Sequence, residues 1–147
     1  MVYGDRRQEN RRNNEIEKVI ENINNLNMLK EMTPKDFADE GGYADLVAKV
    51  SKKSLKTTQL RKFFAALREI ENQKNWKDME MKFYLLKPQL AYSKGRRLIP
   101  QEFHELMKVC MRKVDVGTQE EKVENFKRMM DFLEAIVAYH KFYNPKA

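Results

Sequence analysis

The stretch TTQLRKFFAALREIEN, residues 57–72, indicates the fold class of this 147-residue chain. Its apolar residues recur every three or four positions, which places them along one side of a helix: Leu60, Phe63, Phe64, Leu67 and Ile70. The same helical period runs through most other segments, and none shows the sustained alternation of a strand. Only 5 Gly and 4 Pro interrupt the chain. We therefore predict an all-α fold, a compact bundle of five to six helices in one domain, residues 1–147.

The C-terminal part of the sequence carries the longest helical pattern. Apolar positions between Val123 and His140 keep a heptad spacing. Thr118 followed by Glu121 is typical of a capping box, in which each residue satisfies a free backbone N–H of the other. Asn144-Pro145 then stops the helix. The pattern predicts a long final helix that ends near Tyr143.

Earlier boundaries are marked by asparagine, proline and glycine. A first helix is predicted over about residues 14–30, after a flexible segment at 1–12. Thr33-Pro34 marks the start of the next helix, because threonine caps a helix and proline suits its first position. Pro88 is expected to kink or break the helix that begins near Asn75, since proline lacks the backbone N–H. Residues 93–97, SKGRR, are predicted to form a basic loop.

Several classes of protein are disfavoured by composition. A single cysteine, Cys110, excludes an internal disulfide and disfavours a structural zinc site. No apolar run is long enough for a membrane span, and the N-terminus lacks the apolar core of a signal peptide, so we expect a cytoplasmic protein without a membrane role. His104 and His140 both lie on or beside apolar stripes and form no metal-ligand spacing with Cys110. We predict no catalytic residues, no metal and no cofactor.

Positive charge is concentrated in residues 51–97. This segment holds 13 Lys and Arg against 4 Asp and Glu, whereas residues 1–50 hold 8 against 10 and residues 98–147 hold 8 against 8. The net charges of the three parts are therefore +9, −2 and 0, which sum to the +7 of the whole chain. Such a concentration favours one surface that faces a polyanion.

Two groups of residues within this segment are candidate contacts for nucleic acid. Arg61 and Arg68 share one side of the predicted helix and stand about 10 Å apart along its axis, a spacing that suits two phosphates of one strand. The second group lies in the predicted SKGRR loop. The full set of candidate residues is Lys52, Lys53, Lys56, Arg61, Lys62, Arg68, Lys87, Lys94, Arg96 and Arg97. The lysines before residue 57 are expected to lie on a flexible lead-in.

Simpler explanations stay open for each group. A charged helix face is often only solvated, and a basic loop is often only a polar turn. The aromatic residues of the segment can likewise be explained either by core packing or by contact with a base. Phe63 and Phe64 belong to the apolar stripe and are assigned to the core, whereas Tyr92, next to the basic loop, is the better candidate for stacking on a base.

Three stretches together resemble a known family. They are LKTTQLRKFFAALREI (55–70), FYLLKPQLAYSKGR (83–96) and FLEAIVAYHKFY (132–143), and in this order they are similar to the small helical subunit of the type III-A CRISPR interference complex, the Csm complex. The resemblance covers about residues 51–143 and is less recognisable before residue 51. It implies a non-catalytic subunit for antiviral defence, present in several copies beside the subunits that hold the guide RNA.

The resemblance also assigns roles to particular residues. The motif that opens at Thr57 and ends at Lys62 implies a basic helix facing the guide RNA–target RNA duplex, with Arg61 at its centre and Arg68 further along. The Leu-Lys-Pro-x-Leu-Ala-Tyr pattern implies that Lys87 and Tyr92 lie close by. The implied partners are both RNAs, other Csm subunits and further copies of this chain. Two alternatives are a helical protein–protein adaptor and a free-standing DNA-binding protein.

Overall fold

The computed structural model describes residues 15–146, so the flexibility predicted for residues 1–12 lies outside the described residues. Within them the structure has helices and turns but no β-strand. The first helix, α1, covers residues 15–24 of the described part, and a short 3₁₀ helix follows at Leu29–Glu31. The remaining helices are α2 (Pro34–Ala38), α3 (Tyr43–Val50), α4 (Thr57–Glu71), α5 (Trp76–Gly95), α6 (Gln101–Val114) and α7 (Gln119–Tyr143). The predicted all-α bundle with a long C-terminal helix is confirmed.

The 25-residue helix α7 is the element around which the others pack. It contacts α2, α3, α4, α5, α6 and the 3₁₀ helix. Its inner side is fully buried along most of its length: Phe126, Met129, Phe132, Leu133, Ile136 and His140. Each apolar side chain removed from water in this way stabilises the fold by about 1.5–3 kcal/mol. The heptad stripe predicted from the sequence is therefore the centre of the core.

The predicted helix caps are present. The Thr33 hydroxyl accepts a hydrogen bond from the backbone N–H of Asp36 at 3.1 Å. At the start of α7, Thr118 Oγ1 accepts from the Glu121 N–H at 3.1 Å, and the Glu121 carboxylate accepts from the Thr118 N–H at 3.0 Å. This reciprocal pair is the predicted capping box, and it fixes where the longest helix begins.

The first helix ends earlier than predicted. Helical structure stops at residue 24 rather than near residue 30. The Glu31 carboxylate instead accepts hydrogen bonds from the backbone N–H groups of Asn27 and Met28, at 2.8 and 3.2 Å. Buried Asn125 on α7 accepts the Lys30 N–H at 2.9 Å. These side-chain acceptors stabilise a turn in an asparagine-rich segment where helix propensity is weak.

The structure corrects two predicted boundaries near the end of α5. The helix α5 is not broken at Pro88 and continues to Gly95. Apolar side chains are buried on both sides of the proline, namely Phe83, Leu86 and Leu90, so packing offsets the lost backbone hydrogen bond. Residues 93–95 of the predicted basic loop are the last residues of this helix, and only Arg96 and Arg97 lie beyond it.

The expected flexible lead-in before α4 is an ordered turn. Ser51 and Leu55 are buried, and the Leu55 N–H donates to the Ser51 carbonyl at 2.8 Å. His140 on α7, 1% exposed, holds the end of this turn. Its Nε2 lies 2.7 Å from the Leu55 carbonyl oxygen and its Nδ1 lies 3.4 Å from Thr57 Oγ1. A ring that donates from Nε2 and accepts at Nδ1 satisfies both contacts.

Replacing His140 tests this link between α7 and the turn. We expect His140→Leu to lower the free energy of unfolding by about 1–3 kcal/mol, because the Leu55 carbonyl loses its buried donor. His140→Gln retains an N–H donor and should lose less. Urea unfolding measures both variants, with His104→Gln at a half-buried position on α6 as the control. Wild-type stability in His140→Leu would contradict the link.

Candidate nucleic-acid interface

The basic segment 51–97 is not neutralised by internal ion pairs. Among residues 15–146, ion pairs join Lys30 to Glu121 and Glu124, Lys122 to Asp115, and Arg128 to Asp131. None of the ion pairs in this described part involves a Lys or Arg of the segment that carries a net charge of +9. Within residues 15–146 these ion pairs join residues of 15–50 and 98–146 only. The positive charge of 51–97 is therefore available to a partner.

All ten candidate residues reach the surface. Lys52 is half-buried and the other nine are exposed. The three lysines of the ordered turn, Lys52, Lys53 and Lys56, lie between the buried anchors Ser51 and Leu55 or directly after them. Since both anchors are fixed to the core, these lysines sit at a defined entrance to α4. The turn holds its charges in place with little further loss of chain entropy on binding.

The cations of α4 lie on two different flanks of the helix. At 100° per residue, Lys62 is displaced by about 100° from Arg61 and by about 120° from Arg68. The Arg68 guanidinium lies 5.1 Å from the centre of the Phe64 ring, which holds it on the Phe64 flank. Lys62 instead lines a groove toward α5 and α6. The structure thus divides the predicted basic face into an arginine flank and a groove flank.

The groove on the Lys62 flank runs between α4, the end of α5 and the start of α6. It has a volume of about 510 Å³. Phe63 and Ala66 of α4, with Phe103 of α6, form apolar parts of its wall. Tyr92 and Ser93 line it from α5, so the structure brings Lys62 together with the C-terminal end of α5. The basic residues of the second group, Lys94, Arg96 and Arg97, are not themselves part of the groove lining.

Lys87 is placed apart from this groove. Its ammonium lies 5.0 Å from the centre of the Tyr84 ring, on the flank of α5 that faces the α6–α7 connection. The Tyr84 hydroxyl donates to the Asp115 carboxylate at 2.5 Å, and this hydrogen bond raises the pKa of Tyr84 to about 12. Burial opposes ionisation of Asp115, but hydrogen bonds from Tyr84 and Lys122 outweigh it and lower the pKa of Asp115. Lys87 therefore has an anionic neighbour, Asp115.

The end of α5 forms a Schellman motif with an unusual residue. The Leu98 N–H donates to the Ser93 carbonyl at 2.8 Å, and the Arg97 N–H donates to the Lys94 carbonyl at 2.9 Å. Arg97 takes the left-handed position, with φ of 59°, where glycine is usual. Gly95 sits inside the helix, and a Cβ added there would meet nothing within 4 Å. Gly95 is therefore not required for a close contact with neighbouring atoms. The left-handed position, which favours glycine, is occupied by Arg97.

The tyrosine–arginine pair on this helix end was missed by the sequence analysis. Arg96 Nη1 donates to the Tyr92 hydroxyl at 2.9 Å, and its guanidinium lies 5.6 Å from the ring centre. The two residues are four apart, which is the helical spacing for a side-chain contact. This spacing of Tyr92 and Arg96 is visible in the sequence. It was not considered because residues 93–97 were predicted to form a loop, where helical spacing does not apply.

The contacts and burial of the two histidines and the cysteine indicate roles in the fold. His140 holds the turn before α4. His104 is half-buried on α6, and burial together with the charges of Lys94 and Lys108 lowers its pKa. Burial raises the pKa of the Cys110 thiol to about 12, so this sulfur is not a thiolate nucleophile at neutral pH. Within residues 15–146 no three His, Cys, Asp or Glu side chains are grouped as metal ligands.

Comparison with known proteins identifies the family. The sequence matches the family described as Csm2 Type III-A over residues 34–146. The chain belongs to this family. It is accordingly a small subunit of the type III-A CRISPR complex that associates with other Csm subunits. No curated protein and no solved structure matches the chain. None of the helices in the described residues has the length and apolar character needed to cross a membrane.

The Csm2 match covers the whole basic segment and begins within the region that the resemblance had left less recognisable. It starts at Pro34, the first residue of α2, and therefore includes α2 and α3 together with α4 to α7. The unit that matches the family contains the basic turn, the groove and the buried histidine that links the turn to α7.

The left-handed backbone of Arg97 in the Schellman motif leads to a prediction for the free energy of unfolding of this chain. We expect Arg97→Gly to raise the free energy of unfolding by about 1 kcal/mol, because glycine adopts the left-handed backbone without the Cβ conflict. Arg96→Gly is the matched control, since it removes the same charge at a neighbour whose φ of −88° is ordinary. Thermal unfolding compares them. An equal rise in both variants would show that relieved charge repulsion, not backbone strain, sets the difference.

Proposed function

We propose that this Csm2 family member is a non-catalytic subunit that stacks in several copies along the type III-A complex and binds the backbone of the guide RNA–target RNA duplex. The contacts would come from the ten basic residues of the turn, α4 and the end of α5. Binding of this kind serves antiviral defence because it holds any target that pairs with the guide. The single observation that carries the proposal is the unneutralised charge of residues 51–97.

Phosphate recognition fits both the chemistry and the placement of these residues. Lysine and arginine bind phosphates without reading bases, and the target sequence changes with each guide, so sequence readout by the protein would be a disadvantage. Arg61 and Arg68 are exposed on one flank of a rigid helix, and the turn lysines lie at its start. Rigid placement favours recognition of the regular geometry of an A-form duplex.

Stacking of several copies would make many weak contacts act together. Each copy that neutralises about five phosphates contributes a salt slope, d log K/d log[salt], of about −4. Neighbouring copies held on one assembly then add their contacts as intramolecular events, which raises the overall affinity without a tight single site. The near-neutral remainder of the chain, with net charges of −2 and 0, would leave the other surfaces free for protein contacts.

The proposal is tested by removing the arginine flank. In the assembled complex we expect Arg61→Ala plus Arg68→Ala to weaken target-RNA binding by about tenfold, because two exposed phosphate contacts are lost from every copy. The salt slope should become less steep by about 2 per copy. Filter-binding titrations across salt concentrations measure both quantities, and circular dichroism checks that the subunit stays folded.

A charge-matched control separates local contact from net charge. Lys108→Ala plus Lys127→Ala removes two positive charges from exposed positions on α6 and α7, outside the basic segment. We expect this control to leave the salt slope at the wild-type value. If the arginine double variant binds target RNA as tightly as wild type at every salt concentration, the proposed contact is wrong and a protein–protein adaptor role is favoured.

A further inference from the structure

The groove beside Lys62 has properties that duplex binding leaves unexplained. A surface that only follows phosphates needs cations and polar groups, but this groove has an apolar wall built from Phe63, Ala66 and Phe103. Tyr92, which lines the same groove, is 61% exposed. An exposed aromatic ring beside an apolar wall offers a surface on which a flat ligand can stack.

The side chain of Tyr92 has one partner, Arg96, that restricts its motion. Arg96, at the position directly after the last residue of α5, donates a hydrogen bond to its hydroxyl at 2.9 Å. The Arg96 guanidinium also lies over the ring, 5.6 Å from its centre, and the Tyr92 side chain stays largely exposed. The contact therefore restricts the motion of the side chain and leaves part of the ring surface accessible. A preoriented aromatic surface loses little entropy when a flat ligand stacks on it.

The polar residues around the groove are suited to a nucleotide. Lys62 lines it from α4, and Arg96 lies against Tyr92, which lines it from α5, so one cation belongs to the lining and a second lies beside it. Gln59 and Gln89 add side-chain amides, which can both donate to and accept from the edge of a base. An apolar wall, an exposed aromatic ring, amides and nearby cations match the three parts of a nucleotide: the base faces, the base edge and the phosphates.

The nucleotide that fits must be unpaired. In an A-form duplex the base faces are stacked on one another and are closed to side chains, whereas unpaired bases expose their faces to aromatic residues. A protein partner would also suit an apolar groove, but it gives no reason for Lys62 in the lining and Arg96 beside Tyr92. Charge complementarity therefore favours RNA over an apolar protein segment.

We propose that the groove between α4 and the end of α5 binds an unpaired RNA base, which stacks on Tyr92 while Lys62 and Arg96 contact the neighbouring phosphates. This inference rests on the proposed RNA-binding function and adds a second mode to it. The arginine flank of α4 binds paired RNA through its backbone, and the groove flank binds an unpaired nucleotide.

The test compares two RNAs and two substitutions of Tyr92 in the full chain. A fluorescent single-stranded oligoribonucleotide and a blunt duplex of the same length are titrated by anisotropy across salt concentrations. We expect Tyr92→Ala to weaken single-strand binding by about 5-fold to 100-fold, the usual effect of losing one stacked base, without changing the salt slope. Tyr92→Phe keeps the ring and should stay near wild type. Duplex affinity should change by less than about twofold, because no base stacks there.

Each other result overturns the inference. It is wrong if Tyr92→Ala leaves single-strand affinity unchanged, if it weakens both RNAs equally, or if the wild-type chain does not bind the single strand. The last result, combined with normal effects of the Arg61 and Arg68 substitutions in the assembled complex, would remove the groove proposal alone. Groove variants that bind RNA normally but no longer assemble with the other Csm subunits would assign the groove to a protein partner.

Discussion

Burial of the apolar side of α7 is the constraint on which the rest of the structure depends. A helix of 25 residues with a continuous buried stripe needs cover along its whole length, and the shorter helices supply that cover from several directions. Among the described residues no Lys, Arg, Asp or Glu is buried, so the charged side chains of these elements lie at or near the surface. The concentration of positive charge in residues 51–97 therefore becomes a concentration on the outside of the molecule, where internal ion pairs do not neutralise it.

The same helix also fixes where the basic surface begins. His140 lies in the last turns of α7, and its two ring nitrogens meet the Leu55 carbonyl and the Thr57 hydroxyl just before and at the start of α4. The turn that carries Lys52, Lys53 and Lys56 is thereby attached to α7, the last helix of the chain. Core packing and the proposed RNA contacts are thus physically coupled through one buried imidazole.

Local signals in the sequence predicted most of the fold. The stripe of α4, the heptads of α7 and the caps at Thr33 and Thr118 depend on neighbours within one or two turns, so the sequence pattern alone identifies them. The turn before α4 depends instead on His140, which lies 85 residues from Leu55, and no local pattern reveals that contact. Pro88 illustrates the opposite case, in which a strong local signal is overridden because buried residues hold the helix on both sides.

The predictions about the interface also depended on whether the signal was local in the sequence or required packing between distant residues. Composition located the basic segment, and helical spacing related Arg61 to Arg68. Which residues of different helices share a surface depends on packing, so the groove that joins Lys62 to Tyr92 and the placement of Lys87 beside Asp115 required the structure. The resemblance to the small Csm subunit, carried by three stretches between residues 55 and 143, is confirmed by the family match over residues 34–146.

Lysine footprinting of the assembled complex tests the central claim most directly, namely that the surface of residues 51–97 contacts RNA. Acetylation rates are measured for each lysine before and after target RNA pairs with the guide. The account predicts slower acetylation at Lys52, Lys53, Lys56 and Lys62, with unchanged rates at Lys108 and Lys127 outside the basic segment. Unchanged rates throughout 51–97, or protection confined to Lys108 and Lys127, would contradict it.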